Sequence, residues 1–336
     1  MSHRGRNVAG VALALTTPAT PASPAKPALN PAQQELLDSL GAAAGERPTF
    51  DSGLRHQLRA ALEDGLRHVV DELVDGDDAV FVSKHGLASV HGCEARWMAE
   101  EEQSFEWTVP SARGSVAHKA IELSVHLRGE PTPVELVDES LARLEDGTDS
   151  LARFLQGCSE VDRAELRSEA ADRVTKFIEC WPPLQRTWRP VTESRLRAEL
   201  LDQRVVLQGK VDLSLGQARG TTAGKVIVDL KTGGFSPAHH DDLRFYALVE
   251  TIRLGTPPRR VASYYLDAGA LRPEDVTVGV LQAAARRTVD GVTKMLELRA
   301  KAREATRNPG PPCRWCCLSD QCEQGAAWLA AQDDWG

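Results

Sequence analysis

Two short apolar runs near the middle of the chain each end on a carboxylate, and the second also carries a lysine. The first is Val205-Val206-Leu207-Gln208-Gly209-Lys210-Val211-Asp212, and the second is Val226-Ile227-Val228-Asp229-Leu230-Lys231-Thr232-Gly233. Both are rich in β-branched residues and punctuated by glycine, so they predict neighbouring strands of one antiparallel hairpin. Residues two apart on a strand share a face, which sets Asp229 beside Lys231. If the strands pair, Asp212 lies close to Asp229. Two carboxylates can hold a hard divalent cation, and an adjacent amine can handle a nucleophile or a developing negative charge. That is the chemistry of hydrolytic phosphodiester cleavage. An Asp-x-Lys pair by itself is more often a solvated ion pair, so the reading depends on what is arranged around it.

The arrangement must come from the elements on either side. Helical spacing predicts helices over 33–40 and 53–73, the second with Leu54, Leu58, Leu62, Leu66, Val69, Val70 and Leu73 on one face. A strand at 80–82 precedes Ser83, which is placed to cap a single helix running through Leu87, Val90 and Trp97. A further helix is expected over 115–127, broken by Pro131 and Pro133, and a helical region continues to Trp181. The β part begins near Trp188 and holds the hairpin, a helix over 241–254, a third strand over 261–266 and a long helix over 281–303. Helices followed by a small sheet with interposed helices make an α/β or α+β core with an N-terminal helical region. The expected divisions are a disordered Ala/Pro-rich leader (1–30), an N-terminal helical region (31–79), helical and β parts of the main domain (80–187 and 188–325) and a tail (326–336).

Composition narrows the classes. At 336 residues and 42% hydrophobic, the chain can bury a sizeable core. No apolar stretch approaches the roughly 20 residues of a membrane span. Arg4 and Arg6 ahead of a short apolar run make only a weak signal-peptide silhouette, and the leader reads better as low-complexity chain. A net charge of −8 argues against coating nucleic acid with the whole surface. The basic stretch over 286–314 reads equally as a solvated helix face or as a phosphate-contacting surface. The cysteines number seven and cluster late in the chain, which suits a metal site in a reducing cytoplasm better than a disulfide framework.

With these motifs in view, the chain resembles the RecB-type branch of the PD-(D/E)XK nuclease superfamily from about residue 80 to 325. Gly209-x-x-Asp212 followed by Asp229-x-Lys231 is similar to that branch's second and third motifs. Gly114-x-x-x-His118, with Glu122 one turn later, is similar to its upstream histidine helix. Asp242-Leu243-Arg244-Phe245-Tyr246 stands where the branch has Gln-x-x-x-Tyr, matching at Tyr246 and departing at Asp242. The resemblance implies a restriction-endonuclease-like core, a small mixed sheet flanked by helices. It implies His118, Asp212, Asp229 and the Leu230 carbonyl as ligands of Mg²⁺ or Mn²⁺, Lys231 as the catalytic amine, Asp242 toward the substrate, and Tyr246 supporting the site or meeting the DNA backbone. The implied activity is exonuclease cleavage of single-stranded or unwound DNA in repair or recombination. Cys93 with Cys313-x2-Cys316-x5-Cys322 resembles the iron–sulfur clasp of AddB-like subunits and CRISPR-associated adaptation nucleases. That implies a 4Fe–4S cluster, with structural Zn²⁺ as the alternative and Cys317 as a spare neighbour of Cys316. Cys158 and Cys180 are expected to be buried small hydrophobes.

Two other classes stay open at this point: a non-catalytic DNA-binding module of the same fold, and a zinc-stabilised interaction protein. Gly220-Thr221-Thr222-Ala223-Gly224-Lys225 looks like a phosphate loop, but it is one residue short between its glycines and leads into a strand. It is read as a hairpin loop. With no other ATP-binding signature, helicase activity would have to come from a separate protein.

Overall fold

The computed structural model describes residues 28–333 apart from 77 and 128, so most of the expected leader lies outside the described residues. The strands form one mixed sheet: β1 (Val80–Val82), β2 (Val191–Leu200), β3 (Val205–Leu215), β4 (Val226–Lys231), β5 (Arg260–Tyr265) and β6 (Ala270–Asp275). The predicted hairpin is present, with Leu213 opposite Val228 and Leu215 opposite Val226. The Gly220 loop joins its strands and carries no helix, as its sequence suggested. β4 and β5 run parallel, which requires the crossover supplied by α9 (Ala238–Leu254).

β3 organises the sheet. Antiparallel β2 covers one edge of it from Val205 to Ser214. The other edge is shared: β1 pairs with Val205, Val206 and Leu207, and β4 pairs with Leu213, Ser214 and Leu215. Residues 208–212 therefore pair with neither β1 nor β4, and the sheet forks there. Asp212 and Asp229 stand just past the end of the β3–β4 ladder, where the fork opens.

Helices cover both faces. On one side α2 (Leu54–Leu73), α3 (Lys84–Gly92), α9 and α10 (Val278–Arg299) pack on Val205, Leu207, Val211 and Ile227. The leucines predicted for one face of α2 are buried here, from Leu54 to Leu66. On the other side α1 (Pro31–Leu40), α5 (Val109–His126), α6 (Pro133–Glu145), α7 (Ser150–Gly157) and α8 (Glu160–Cys180) pack on Leu213, Leu215, Val226, Val228 and Leu230. Two apolar cores separated by one sheet are a three-layer α/β arrangement.

Several elements differ from expectation. The single helix predicted after Ser83 is two: Ser83 does cap α3, but the chain turns extended at Cys93 and restarts as α4 (Glu94–Glu101). α5 begins six residues earlier than position 115 because Thr108 caps it and Pro110 sits in its first turn. β6 has no apolar alternation and contains Pro273, which only an edge strand tolerates. The long helix ends at Arg299. Cys158 and Cys180 are partly exposed, not buried. In the basic stretch, Arg287, Lys294, Arg299 and Arg303 are each engaged by a carboxylate of the chain, which favours the structural reading for them.

Candidate active site

Asp229 is 1% exposed, yet two ammonium groups reach it: Lys84 Nζ lies 2.5 Å from Oδ1 and Lys231 Nζ lies 2.8 Å from Oδ2. Burial alone would favour the neutral acid, but the two lysines hold the Asp229 carboxyl down at about 2. The reciprocal effect pushes Lys84 upward: burial is the largest single influence and opposes its charge, and Asp229, Tyr246, Asp212 and Asp242 together outweigh it. Lys231 also bridges to Asp242 at 3.0 Å. Asp242 is thus a partner of the lysine on the strand before it.

Asp212 serves both sides of the fork. Its Oδ2 accepts the Leu230 N–H at 2.7 Å, replacing a ladder hydrogen bond with a side-chain one. Its Oδ1 faces His118 Nδ1 at 3.5 Å. Burial opposes protonation of His118, but Asp212 foremost, with Glu193 and Asp229, outweighs it and raises the imidazole above its ordinary range.

The position of His118 follows from Gly114 one helical turn before it. A Cβ at Gly114 would lie 3.1 Å from Thr232 Oγ1, so a bare glycine lets α5 sit against the end of β4. Ala112, Ala117 and Ala120 on the same helix are fully buried, and their small size serves the same approach. The second glycine motif has a parallel cause. A Cβ at Gly209 would fall 2.4 Å from Tyr246 Cε1, so the tyrosine ring occupies the space a side chain would need. Tyr246 is 3% exposed, donates its hydroxyl hydrogen to the Lys210 carbonyl at 2.8 Å and lies under Lys84 Nζ at 4.8 Å. Burial pushes its hydroxyl up to about 12. Its hydroxyl and ring thus tie the β3 backbone to Lys84.

The structure adds two residues. Lys84, the first residue of α3, supplies the second cation on Asp229. Glu193 lies in β2 at the register position opposite Asp212, in the gap between the pairs Thr192–Leu213 and Ser194–Val211. Its backbone is left-handed, φ 51°, an uncommon state for glutamate in a strand. Donor atoms of His118, Glu193 and Asp212 come within 4.8 Å of one another, the one such set of three among the described residues. Glu193, Asp212 and Asp229 thus stand in one row across three strands, with Lys210 paired to Glu193. An imidazole and carboxylates suit a hard or borderline divalent cation, and among the described residues His118 is the ion-pair partner of the buried Asp212 carboxylate. Beside them opens a cleft of 630 Å³, lined by His118, Lys119, Glu193, Lys210, Lys231 and His239.

Comparison with known families agrees with this geometry. Residues 82–323 match the PD-(D/E)XK nuclease superfamily. The chain belongs to this superfamily. The matched span carries β2 to β6 and leaves out α1, α2 and all of β1 but its last residue. The nuclease is similar in structure to a candidate exonuclease from Eubacterium rectale, at 14% identity and a TM-score of 0.45, over 74% of this chain and 87% of that one. It is also similar to the protein SSO0001, at 12% identity and a TM-score of 0.34, over 80% and 94% of the two chains. No curated protein matches it. No helix among the described residues is long and apolar enough to cross a membrane.

A second constellation of the nuclease lies at Cys93, in the break between α3 and α4. Polar contacts draw the chain beyond α10 to this break. Glu94, 6% exposed, accepts hydrogen bonds from both Arg303 Nη atoms at 2.7 and 3.0 Å and from the Thr306 N–H at 2.9 Å. Arg303 foremost holds the Glu94 carboxyl down at about 2. Asn308 donates to the Gly92 carbonyl, and the Ala95 N–H to that of Thr306. Cys93, Cys313, Cys316 and Cys322 consequently line one cavity of 350 Å³. The amides of Gly310, Leu318 and Gly325 donate to the sulfurs of Cys313, Cys316 and Cys322, each at 3.4 Å. Cys317 is exposed and does not line the cavity.

Proposed function

We propose that this nuclease cleaves DNA phosphodiesters in a divalent-metal-dependent reaction, working from ends of single-stranded or unwound DNA. The observation that carries the reading is the row of Glu193, Asp212 and Asp229 at the sheet fork, with His118 closing one end and Lys231 the other. His118, Glu193 and Asp212 would hold the cation, with Asp229 and the Leu230 carbonyl beside them, and Mg²⁺ or Mn²⁺ fits this donor set. The bound cation would lower the pKa of a water and offset charge on the phosphate. The protein's own groups do the rest. Lys231 reaches the cleft with its ammonium fixed between Asp229 and Asp242, placed to orient a water or to neutralise a non-bridging phosphate oxygen. Lys84 and Tyr246 lock the Asp229 carboxylate from behind. Lys119 and Lys210 flank the cleft, where they can meet the backbone phosphates of a strand.

Cys93, Cys313, Cys316 and Cys322 would hold a 4Fe–4S cluster whose role is to clasp the chain after α10 to the α3–α4 junction. Three N–H···S bonds suit sulfurs carrying ligand charge. Burial pushes the Cys316 thiol up despite the Leu318 N–H, so that charge would come from a metal centre. Tetrahedral zinc is the alternative occupant of the same four thiolates. Unwinding would be supplied by a separate helicase or repair protein, and the setting would be the cytoplasm.

The test is cleavage of end-labelled single- and double-stranded DNA with Mg²⁺ or Mn²⁺ by anaerobically purified protein, beside Asp229→Ala and Lys231→Ala. Shortening of the single strand by wild type alone is expected. Equal activity in all three proteins, or none in any, would leave a non-catalytic DNA-binding module as the better reading.

A further inference from the structure

A second cavity, of 320 Å³, lies at the far end of the β3–β4 ladder from the two aspartates, where Leu215 pairs with Val226 under α1. Its wall carries Arg47, Arg189, Arg219 and Arg259 and neither an aspartate nor a glutamate, in a chain whose net charge is −8. Arg259 is 8% exposed, and its Nε has no hydrogen-bond partner. Trp181 is 2% exposed, and its indole N–H is likewise unpartnered. Arg47 Nε is a third such donor.

The chain supplies little to satisfy them. Arg259 donates through Nη2 to the Leu40 carbonyl, and the side-chain oxygen of Gln217 is taken by Arg189. Asp275, the acid acting on Arg259, is held by Arg260 at 2.7 Å. Burial, then the charges of Arg260 and Arg47, bring Arg259 down to about 10, the mark of a positive charge without a counter-ion. Buried donors without acceptors are rare, and each needs an explanation. Here every unmet group is a donor and the surplus charge is positive, so the missing partner is an anion with several acceptor oxygens. Guanidinium forks match a phosphate bidentately. Half-buried Trp188 adds an indole to the same wall. The volume sits at the small end of the ~300–1,000 Å³ range of small-ligand pockets.

We propose that this cavity binds a nucleoside 5′-phosphate, carried by a free mononucleotide or by the 5′ end of a DNA strand. The inference rests on the proposed DNA cleavage only for the source of that ligand. It places a phosphate subsite roughly 10 Å along the strands from the aspartates, three residues at about 3.3 Å each.

The experiment is titration calorimetry in EDTA, so that cleavage and binding are read separately. The ligands are dTMP, thymidine, inorganic phosphate, and short oligothymidylates with 5′-phosphate or 5′-hydroxyl ends. The proteins are wild type, Asp229→Ala, Arg47→Gln/Arg219→Gln, and Arg189→Gln/Arg219→Gln, whose two positions are exposed. One site for dTMP is expected, at least about tenfold tighter than for thymidine and unchanged in Asp229→Ala. Each double variant should weaken it by about tenfold or more without lowering the melting temperature. Tighter binding of the 5′-phosphorylated strand than of dTMP makes the strand end the ligand, and the reverse order makes it the free nucleotide. Absent dTMP binding, equal binding of thymidine, or equal binding by wild type and both arginine variants would overturn the proposal, as would loss of binding in Asp229→Ala. A protein that binds dTMP but never cleaves DNA would refute the nuclease reading and leave this site standing.

Discussion

Replacing Gly209 by alanine tests the packing that holds the site together. The added Cβ would lie 2.4 Å from Tyr246 Cε1 and 3.3 Å from Cδ1 and Cζ, against an ordinary carbon contact near ~3.7 Å. The ring must therefore retreat by about 1 Å. It is 3% exposed among Leu243, Ala247 and the first core, and its hydroxyl bond to the Lys210 carbonyl and its contact with Lys84 move with it. Overpacking of this kind costs about 1–3 kcal/mol. Relief from the flexibility of glycine in the unfolded chain returns about 0.4–1 kcal/mol. A net loss of about 1–2 kcal/mol is expected by chemical denaturation. Because the displaced ring supports Lys84, cleavage should fall further than stability does. The check is a double-mutant cycle with Tyr246→Leu, which trims the ring and makes room for the new methyl. The two changes should compensate, the pair being at least ~1 kcal/mol more stable than the sum of the singles. Additive effects, or a neutral Gly209→Ala, would refute the account of why glycine stands there.

Three further outcomes are expected. Lys84→Met should cost about 2 kcal/mol of stability in metal-free buffer, less than a broken buried pair usually does, since Lys231 still faces Asp229 and Lys84 is partly exposed; an unchanged denaturation midpoint would contradict the double lock. Cys316→Ser should abolish the brown absorbance near ~400 nm of anaerobically purified protein while Cys317→Ser keeps it; colourless wild type containing zinc would sink the cluster. Glu94→Gln, which takes the charge from between Arg303 and Thr306, should lower stability by about 2 kcal/mol and expose the chain beyond α10 to limited proteolysis; wild-type protease resistance would show that the polar ties do not hold that segment.

Much of the site was legible because its residues sit in elements with strong local signals. β3 and β4 are dense in valine and isoleucine, so their pairing and the approach of Asp212 to Asp229 followed from pattern alone. Gly114 and Gly209 entered through the family resemblance, and the structure gives their cause: a helix and a tyrosine come too close there for a side chain. Lys84 and Glu193 were not legible. Lys84 is an ordinary lysine at a helix start, and only the tertiary fold carries it to Asp229. Glu193 lies in Val191-Thr192-Glu193-Ser194, a polar strand beginning that reads as solvent-facing, and its role comes from the β2–β3 register. The turn that sets this register, Leu201-Asp202-Gln203, is left-handed at all three residues yet holds no glycine, so nothing local announces it. β6 was hidden by its charges and Pro273, which only its edge position allows. The break at Cys93 defeated helical periodicity because the polar ties of Glu94 and Asn308 come from the far end of the chain.

The central claim is that the carboxylate row and His118 hold one divalent cation. Titration calorimetry with Mn²⁺ on wild type, Glu193→Gln, Asp212→Asn and the control Cys317→Ser tests it most directly. The account predicts one site in wild type and the control, weakened by about tenfold or more in each carboxylate variant. Equal Mn²⁺ affinity in all of them would contradict it.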